Sequence, residues 1–138
     1  MNDCIFCKII NGDIPSIKVY EDEQVYAFMD ITPLSKGHTL LIPKQHVQDL
    51  LDMPAELASH LYRVAPIVAK AIYNAFTPDG MNTLNNNGAA AGQTVFHYHL
   101  HFIPRYGEEG LKWVWETTQP SQEQLQAAAQ AITAQLNA

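Results

Sequence analysis

The sequence predicts an α+β fold: an antiparallel sheet with one long helix and a C-terminal helix. Three observations carry this expectation. Short apolar, β-rich runs bounded by turn residues recur along the chain, as strands do. A single long stretch, Pro54 to about Phe76, repeats Leu57, Leu61, Val64, Val68 and Ile72 at the three- and four-residue spacing of a helix. No repeat or linker divides the 138 residues, a length suited to one domain spanning 1–138. Strands that outnumber helices without strict alternation favour an antiparallel sheet.

Cys4-Ile5-Phe6-Cys7-Lys8-Ile9-Ile10 reads as a short helix or turn, stopped by Asn11-Gly12. Lys18 to Glu21 and Val25 to Asp30 are strand candidates separated by a turn at Asp22-Glu23. Thr32 to Gly37 is a loop, and His38 to Pro43 is a third strand bounded by Gly37 and Pro43. Pro66 lies inside the long helix, where it removes a backbone donor and crowds the carbonyl of Tyr62, so a kink or a break is expected. Met81 to Leu84 opens another strand, and Asn85 to Gly92 is a loop of small and amide residues. Thr94 to Pro104 reads as the clearest strand. Residues 105–120 are irregular and contain Trp113 and Trp115, for which core packing is the expected role. Ser121 and Gln124 form a capping box, after which Leu125, Ala128, Ala129, Ile132 and Leu136 line one helix face.

Composition removes several classes of function. The net charge of −6 opposes a nucleic-acid partner, because phosphate contacts supply most of that affinity. A small anion is still admissible in a local pocket of imidazoles and amide N–H groups. No run approaches the ~20 apolar residues of a membrane span. The start, Met1-Asn2-Asp3-Cys4, lacks the basic and apolar parts of a signal peptide, so no membrane partner is expected and the expected location is the cytoplasm. There, the pair Cys4 and Cys7 reads as a metal knuckle or a redox pair rather than a structural disulfide.

The chain has 6 histidines, and His97, His99 and His101 alternate within one apolar run. As a strand, that run puts the three on one face and Phe96, Tyr98, Leu100 and Phe102 on the other. Imidazoles repeated at ~7 Å repel one another when charged, so the row calls for a purpose. Two purposes fit: a metal cage, since imidazole ligates zinc, or a nucleophile flanked by groups that orient it and carry protons. The loop just upstream favours the second. Gly88 and Gly92 allow backbone N–H groups to approach an anion, and Asn86, Gln93 and Thr94 add side-chain donors.

The segment Gly92-Gln93-Thr94-Val95-Phe96-His97-Tyr98-His99-Leu100-His101-Phe102-Ile103-Pro104 resembles the signature of the histidine triad family. Cys4 to Ile10, Ile14-Pro15, Phe28-Met29-Asp30-Ile31 and Gly37 to Lys44 resemble further blocks of that family in the same order, nearest to its Hint-like branch. The resemblance covers about residues 4–106 and leaves 107–138 as a C-terminal extension. It implies an antiparallel sheet that continues across a homodimer. It also implies hydrolysis or transfer of nucleoside monophosphates from phosphoramidates, dinucleoside polyphosphates or acyl-adenylates, with an AMP-like purine nucleotide as substrate. His99 then corresponds to the nucleophile that forms a nucleotidyl-histidine, His101 to a phosphate donor, and His38 to an assisting group. Asp30 corresponds to the ribose carboxylate, and Ile5, Phe6, Ile9, Phe28 and Ile31 to the base slot. Asn86, Gly92, Gln93 and Thr94 correspond to the phosphate and leaving-group region.

Cys4 and Cys7 supply half of a tetrahedral site. The resemblance implies the other half, His46 and His97, and a structural zinc. His60, on the long helix, is expected to be a surface residue. A redox role for the cysteines is weaker, because a thioredoxin-like pair follows a strand and this one opens the chain. One rival to catalysis is a nucleotide-binding adaptor of the same fold, which binds without turnover. Another is a zinc hydrolase using all three histidines as ligands. That enzyme needs an open coordination position and a base to activate water, and the sequence has no H-E-x-x-H motif.

Overall fold

A computed structural model describes residues 3–107 and 116–136. Its centre is a five-stranded antiparallel sheet in the order β1-β2-β3-β5-β4. The strands are β1 (Lys18–Glu21), β2 (Val25–Met29), β3 (Thr39–Pro43), β4 (Gly80–Leu84) and β5 (Leu100–Arg105). The helices are α1 (Ile5–Ile10), α2 (Ala55–Phe76) and α3 (Gln122–Leu136).

Alternation along β2 and β3 divides the molecule into two layers of contact. Val25, Ala27 and Leu41 face α2 and bury with Leu61, Val64, Ala65, Val68 and Ile72. Tyr26, Phe28, Leu40 and Ile42 face the other way and bury with Phe6 of α1. The central strands are therefore apolar at nearly every position, because helices cover both faces. The α2 layer is structural ballast. The α1 layer is thin, with one six-residue helix, and it is on this side that a cavity opens.

Pro66 neither breaks nor ends the long helix, which runs through 22 residues. Pro66 is on the exposed face, so the carbonyl of Tyr62 that loses its donor has water nearby, while Val64, Ala65 and Val68 keep the buried face intact.

The histidine segment departs from expectation. The strand begins at Leu100, not Thr94, so His97 and His99 precede it. Side chains replace the missing ladder: His97 Nε2–H donates to the Pro43 carbonyl at 2.8 Å, and His99 Nδ1–H donates to the His97 carbonyl at 2.7 Å. With those carbonyls occupied by imidazoles, pairing with β3 stops at Leu41↔Leu100. Phe96 is also out of the predicted core face, at 44% exposure, whereas Tyr98, Leu100 and Phe102 are buried as expected.

The capping box of α3 forms in both directions, Ser121 N–H to Gln124 Oε1 at 2.8 Å and Gln124 N–H to Ser121 Oγ at 3.1 Å. Its apolar face is exposed within the chain. Trp113 and Trp115 lie outside the described residues. No helix among the described residues is long and apolar enough to cross a membrane.

Candidate active site and metal cluster

One cavity of about 300 Å³ lies between α1, the end of β2 and the histidine segment. Ile5, Phe6, Ile9, Phe28, Asp30, Ile31, Thr94, His99 and His101, all expected at the site, line it. Sequence reasoning assigned no site role to Ile14, Pro15 or Ser16, nor to Leu40 or Val95, which also line it. The signal for Ile14 and Pro15 was their place in a recognisable block. Ser16 had none: its hydroxyl meets the Tyr26 hydroxyl at 2.6 Å, a pairing across the start of the sheet. Edge-to-face contacts of His99 on Phe6 at 5.0 Å and Phe6 on Phe28 at 5.4 Å, and a tilted contact of Phe28 on Tyr26 at 5.7 Å, put this hydroxyl pair at the far end of the aromatic row from His99.

The imidazole tautomers follow from fixed partners. A carbonyl only accepts, so His99 carries its proton on Nδ1 and leaves a lone pair on Nε2. The Leu34 N–H donates to His38 Nδ1 at 3.0 Å, so neutral His38 carries its proton on Nε2. That nitrogen is 2.9 Å from His101 Nδ1, which must accept, and His101 is left with an Nε2–H to donate. Burial holds His38, His99 and His101 below the ordinary histidine range, His101 at about 4, and the Asp30 carboxylate opposes the shift in each. All three are therefore neutral near pH 7. His38 is behind His101, 2% exposed, with Asp30 Oδ2 at 3.5 Å.

The upstream loop holds the segment in place. Gly88 and Gly92, at φ 91° and 96°, bracket a short 3-10 turn, Ala89–Ala91, in a backbone region that favours glycine. Gln93 does not face the cavity. Its amide is spent on the Gln48 and Val95 carbonyls and the Gly88 N–H, at 2.8, 3.1 and 2.7 Å, so it braces the loop instead of offering a phosphate contact. Asn86 borders a neighbouring hollow on the other side of His101, with Asn85 and Ala91, and its amide reaches the Gly92 carbonyl at 3.4 Å.

Cys4, Cys7, His46 and His97 converge, their ligand atoms all within 4.8 Å of one another. His97 Nδ1 is 3.4 Å from Cys4 Sγ and 3.6 Å from Cys7 Sγ, and His46 Nδ1 is 3.4 Å from Cys7 Sγ. A tetrahedral zinc with ordinary bond lengths separates nitrogen from sulfur by about 3.6 Å. The Pro43 carbonyl fixes the proton of His97 on Nε2 and turns the Nδ1 lone pair toward the sulfurs, the outer support that metal-ligating histidines use. The donor set can thus hold a metal ion. Burial, reinforced by Cys4, pushes the Cys7 thiol up to about 11, so this pocket needs a cation before it favours a thiolate. Asp30, His38 and His101 are also close enough to be ligands. There, however, His38 and His101 are joined by a hydrogen bond, which spends the Nδ1 lone pair a metal would need.

His60 is more than a surface residue: its Nε2 is 2.8 Å from Asp22 Oδ2, which also accepts from the Tyr20 hydroxyl at 3.0 Å and ties α2 to the β1–β2 turn.

A family model described as the HIT domain matches residues 11–108. The chain belongs to the HIT domain family. It is 58% identical over 116 residues to the protein hit of Bacillus subtilis, covering 83% of this chain and 80% of that one. An adenosine 5'-monophosphoramidase of Schizosaccharomyces pombe is 40% identical, with 96% of this chain and 98% of that protein covered. An adenylylsulfatase of Arabidopsis thaliana is 45% identical, with 84% of this chain but only 58% of that protein covered. Among solved HIT structures, a family protein from Bacillus anthracis superposes with TM-score 0.92 at 54% identity, covering 97% of each chain. A zinc-bound histidine triad protein from Mycobacterium smegmatis superposes with TM-score 0.74 at 41% identity, covering 99% of this chain and 96% of that one. Family membership and these relatives support hydrolase activity on nucleotides.

Proposed function

We propose that the protein hydrolyses or transfers the nucleotidyl group of AMP derivatives, phosphoramidates or dinucleoside polyphosphates, through a covalent intermediate on His99. The observation that carries this reading is the bond from His99 Nδ1–H to the His97 carbonyl at 2.7 Å, which leaves an unprotonated Nε2 on a ring lining the cavity. For a phosphoramidate, Nε2 attacks phosphorus. A bond to the imidazole forms, the bond to the leaving amine breaks, and the amine departs with a proton taken from solvent, which the later attack of water returns. Water then attacks phosphorus and releases AMP and free His99. His101 donates its Nε2–H to a phosphoryl oxygen as charge builds there. Asp30 takes the ribose hydroxyls, and the slot between Ile5, Phe6, Ile9, Phe28 and Ile31 takes the purine. The leaving group occupies the Asn86 side of His101. Two of the three named relatives carry names of enzymes acting on adenosine nucleotides, a monophosphoramidase and an adenylylsulfatase.

Cys4, Cys7, His46 and His97 would hold a structural zinc, which would tie α1 to the histidine segment and take no part in the reaction. The active form is a homodimer: β4 leaves one edge of the sheet open, and α2 presents exposed Ile67 and Tyr73. A cytoplasmic setting keeps both cysteines reduced.

The test is hydrolysis of adenosine 5'-phosphoramidate by wild type and His99→Ala, with folding checked by circular dichroism. Loss of turnover in a folded variant is expected. Near wild-type turnover contradicts the covalent mechanism, and nucleotide binding without turnover by the wild type gives the adaptor reading first place.

A further inference from the structure

We infer that Asp30 positions the histidines as well as binding ribose: its second carboxylate oxygen lies beside His38 Nε2, where its charge favours the tautomer protonated there, and so it reinforces the Leu34 contact in fixing the nitrogen that His101 presents to the phosphoryl group. The inference rests on the functional reading above and adds a second role for one of its residues.

The two carboxylate oxygens of Asp30 have separate partners. Oδ1 accepts from the Thr32 N–H at 2.8 Å and the Thr32 hydroxyl at 3.2 Å, closing a local turn. Oδ2 is 3.5 Å from His38 Nε2. The residues are also strapped through the backbone, Asp30 N–H to the His38 carbonyl at 3.1 Å, so the approach of the carboxylate to the ring is fixed by the chain. His38 Nε2 thus has an anion on one side and His101 Nδ1, at 2.9 Å, on the other. A negative charge beside that nitrogen favours the tautomer with hydrogen on it, as does the Leu34 N–H on the opposite nitrogen. With His38 fixed as the donor, His101 is fixed as the acceptor at Nδ1 and the donor at Nε2. Without the carboxylate, only the Leu34 contact opposes the flipped arrangement, in which His101 turns a bare nitrogen to the phosphate.

Asp30→Asn separates the two roles. The amide keeps an Oδ1 for the Thr32 turn and replaces only the oxygen facing His38. Wild type and D30N are each assayed with adenosine 5'-phosphoramidate and its 2',3'-dideoxy analogue, in which Asp30 has no ribose hydroxyl to bind. The expected result is a kcat for D30N on the dideoxy substrate that is on the order of 10-fold below wild type on the same substrate, with KM changed less than about 2-fold. Equal kcat on the dideoxy substrate overturns the inference and leaves Asp30 a ribose ligand only. Absence of turnover by the wild type on the ribose substrate instead strikes the functional reading. Ring-nitrogen NMR gives an independent reading. His38 protonated on Nε2 in the wild type, with that preference weakened in D30N, is expected, and His38 protonated on Nδ1 in the wild type, or an unchanged tautomer in folded D30N, overturns the inference.

Discussion

Two clusters of imidazoles are side by side in this molecule, supplied in part by one short segment, and they direct their ring protons differently. In the first, His97 and His46 turn ring nitrogens toward two sulfurs, with N···S distances of 3.4 to 3.6 Å. In the second, His38 and His101 share a proton at 2.9 Å, and His99 spends its one ring N–H on a backbone carbonyl. What separates a ligand set from a reacting set is therefore where the backbone sends each proton. The Pro43 carbonyl takes the Nε2–H of His97 and exposes Nδ1, while the His97 carbonyl takes the Nδ1–H of His99 and exposes Nε2. Neighbouring histidines of one motif expose opposite nitrogens because the Pro43 and His97 carbonyls take the N–H of opposite ring nitrogens.

The largest way to break this comparison is His99→Ala. It should lower kcat by at least about 10³-fold, the scale of losing a nucleophile, while the melting temperature and metal content hold. Cys4→Ser should do the reverse. It should cost on the order of 3 kcal/mol of stability, or about 10 °C in Tm, with zinc lost from elemental analysis and kcat of the remaining folded protein changed far less. A variant that loses both properties together would mean that the clusters are one unit.

Acid should distinguish the reacting set next. His101 is held near 4 when folded and titrates near the ordinary value of 6.5 when unfolded, so the unfolded chain binds more protons in between. Stability should accordingly fall as pH drops from about 6.5 toward 4. Urea midpoints at pH 7 and pH 5 should show the slope, and His101→Gln should reduce it. The smallest expected effect is at the far end of the slot. Tyr26→Phe leaves the Ser16 hydroxyl without its partner and should alter the kcat/KM ratio between adenosine and guanosine phosphoramidates by about 2- to 5-fold, with the histidine chemistry untouched. An unchanged ratio would remove the hydroxyl pair from base recognition.

Much of this organisation was legible in the sequence. The periodicity of Leu57 to Ile72 marks α2, and the Asp22-Glu23 turn bounds Lys18–Glu21 to the residue. The α+β class followed from the same signals. The alternation of His97, His99 and His101 was read as a continuous strand, and here the local pattern misled. Period two was real, but the imidazoles took the carbonyls that strand pairing requires. Gln93 was expected at the phosphate for its amide, yet an amide equally satisfies loop carbonyls, and a sequence does not show which are near. The tie between His60 and Asp22 joins residues 38 apart, a separation no local signal spans. The metal cluster was half visible, since Cys4 and Cys7 share one helical turn, whereas His46 and His97 reach them only through the folded sheet and were supplied by family resemblance.

The central claim is that His99 becomes covalently nucleotidylated, and intact-protein mass spectrometry of acid-free quenched reactions with adenosine 5'-phosphoramidate tests it most directly. The account predicts an adenylyl adduct mapped to His99 in the wild type and absent from His99→Ala. Steady turnover by the wild type with no adduct at any quench time, or an adduct mapped to His101, would contradict it.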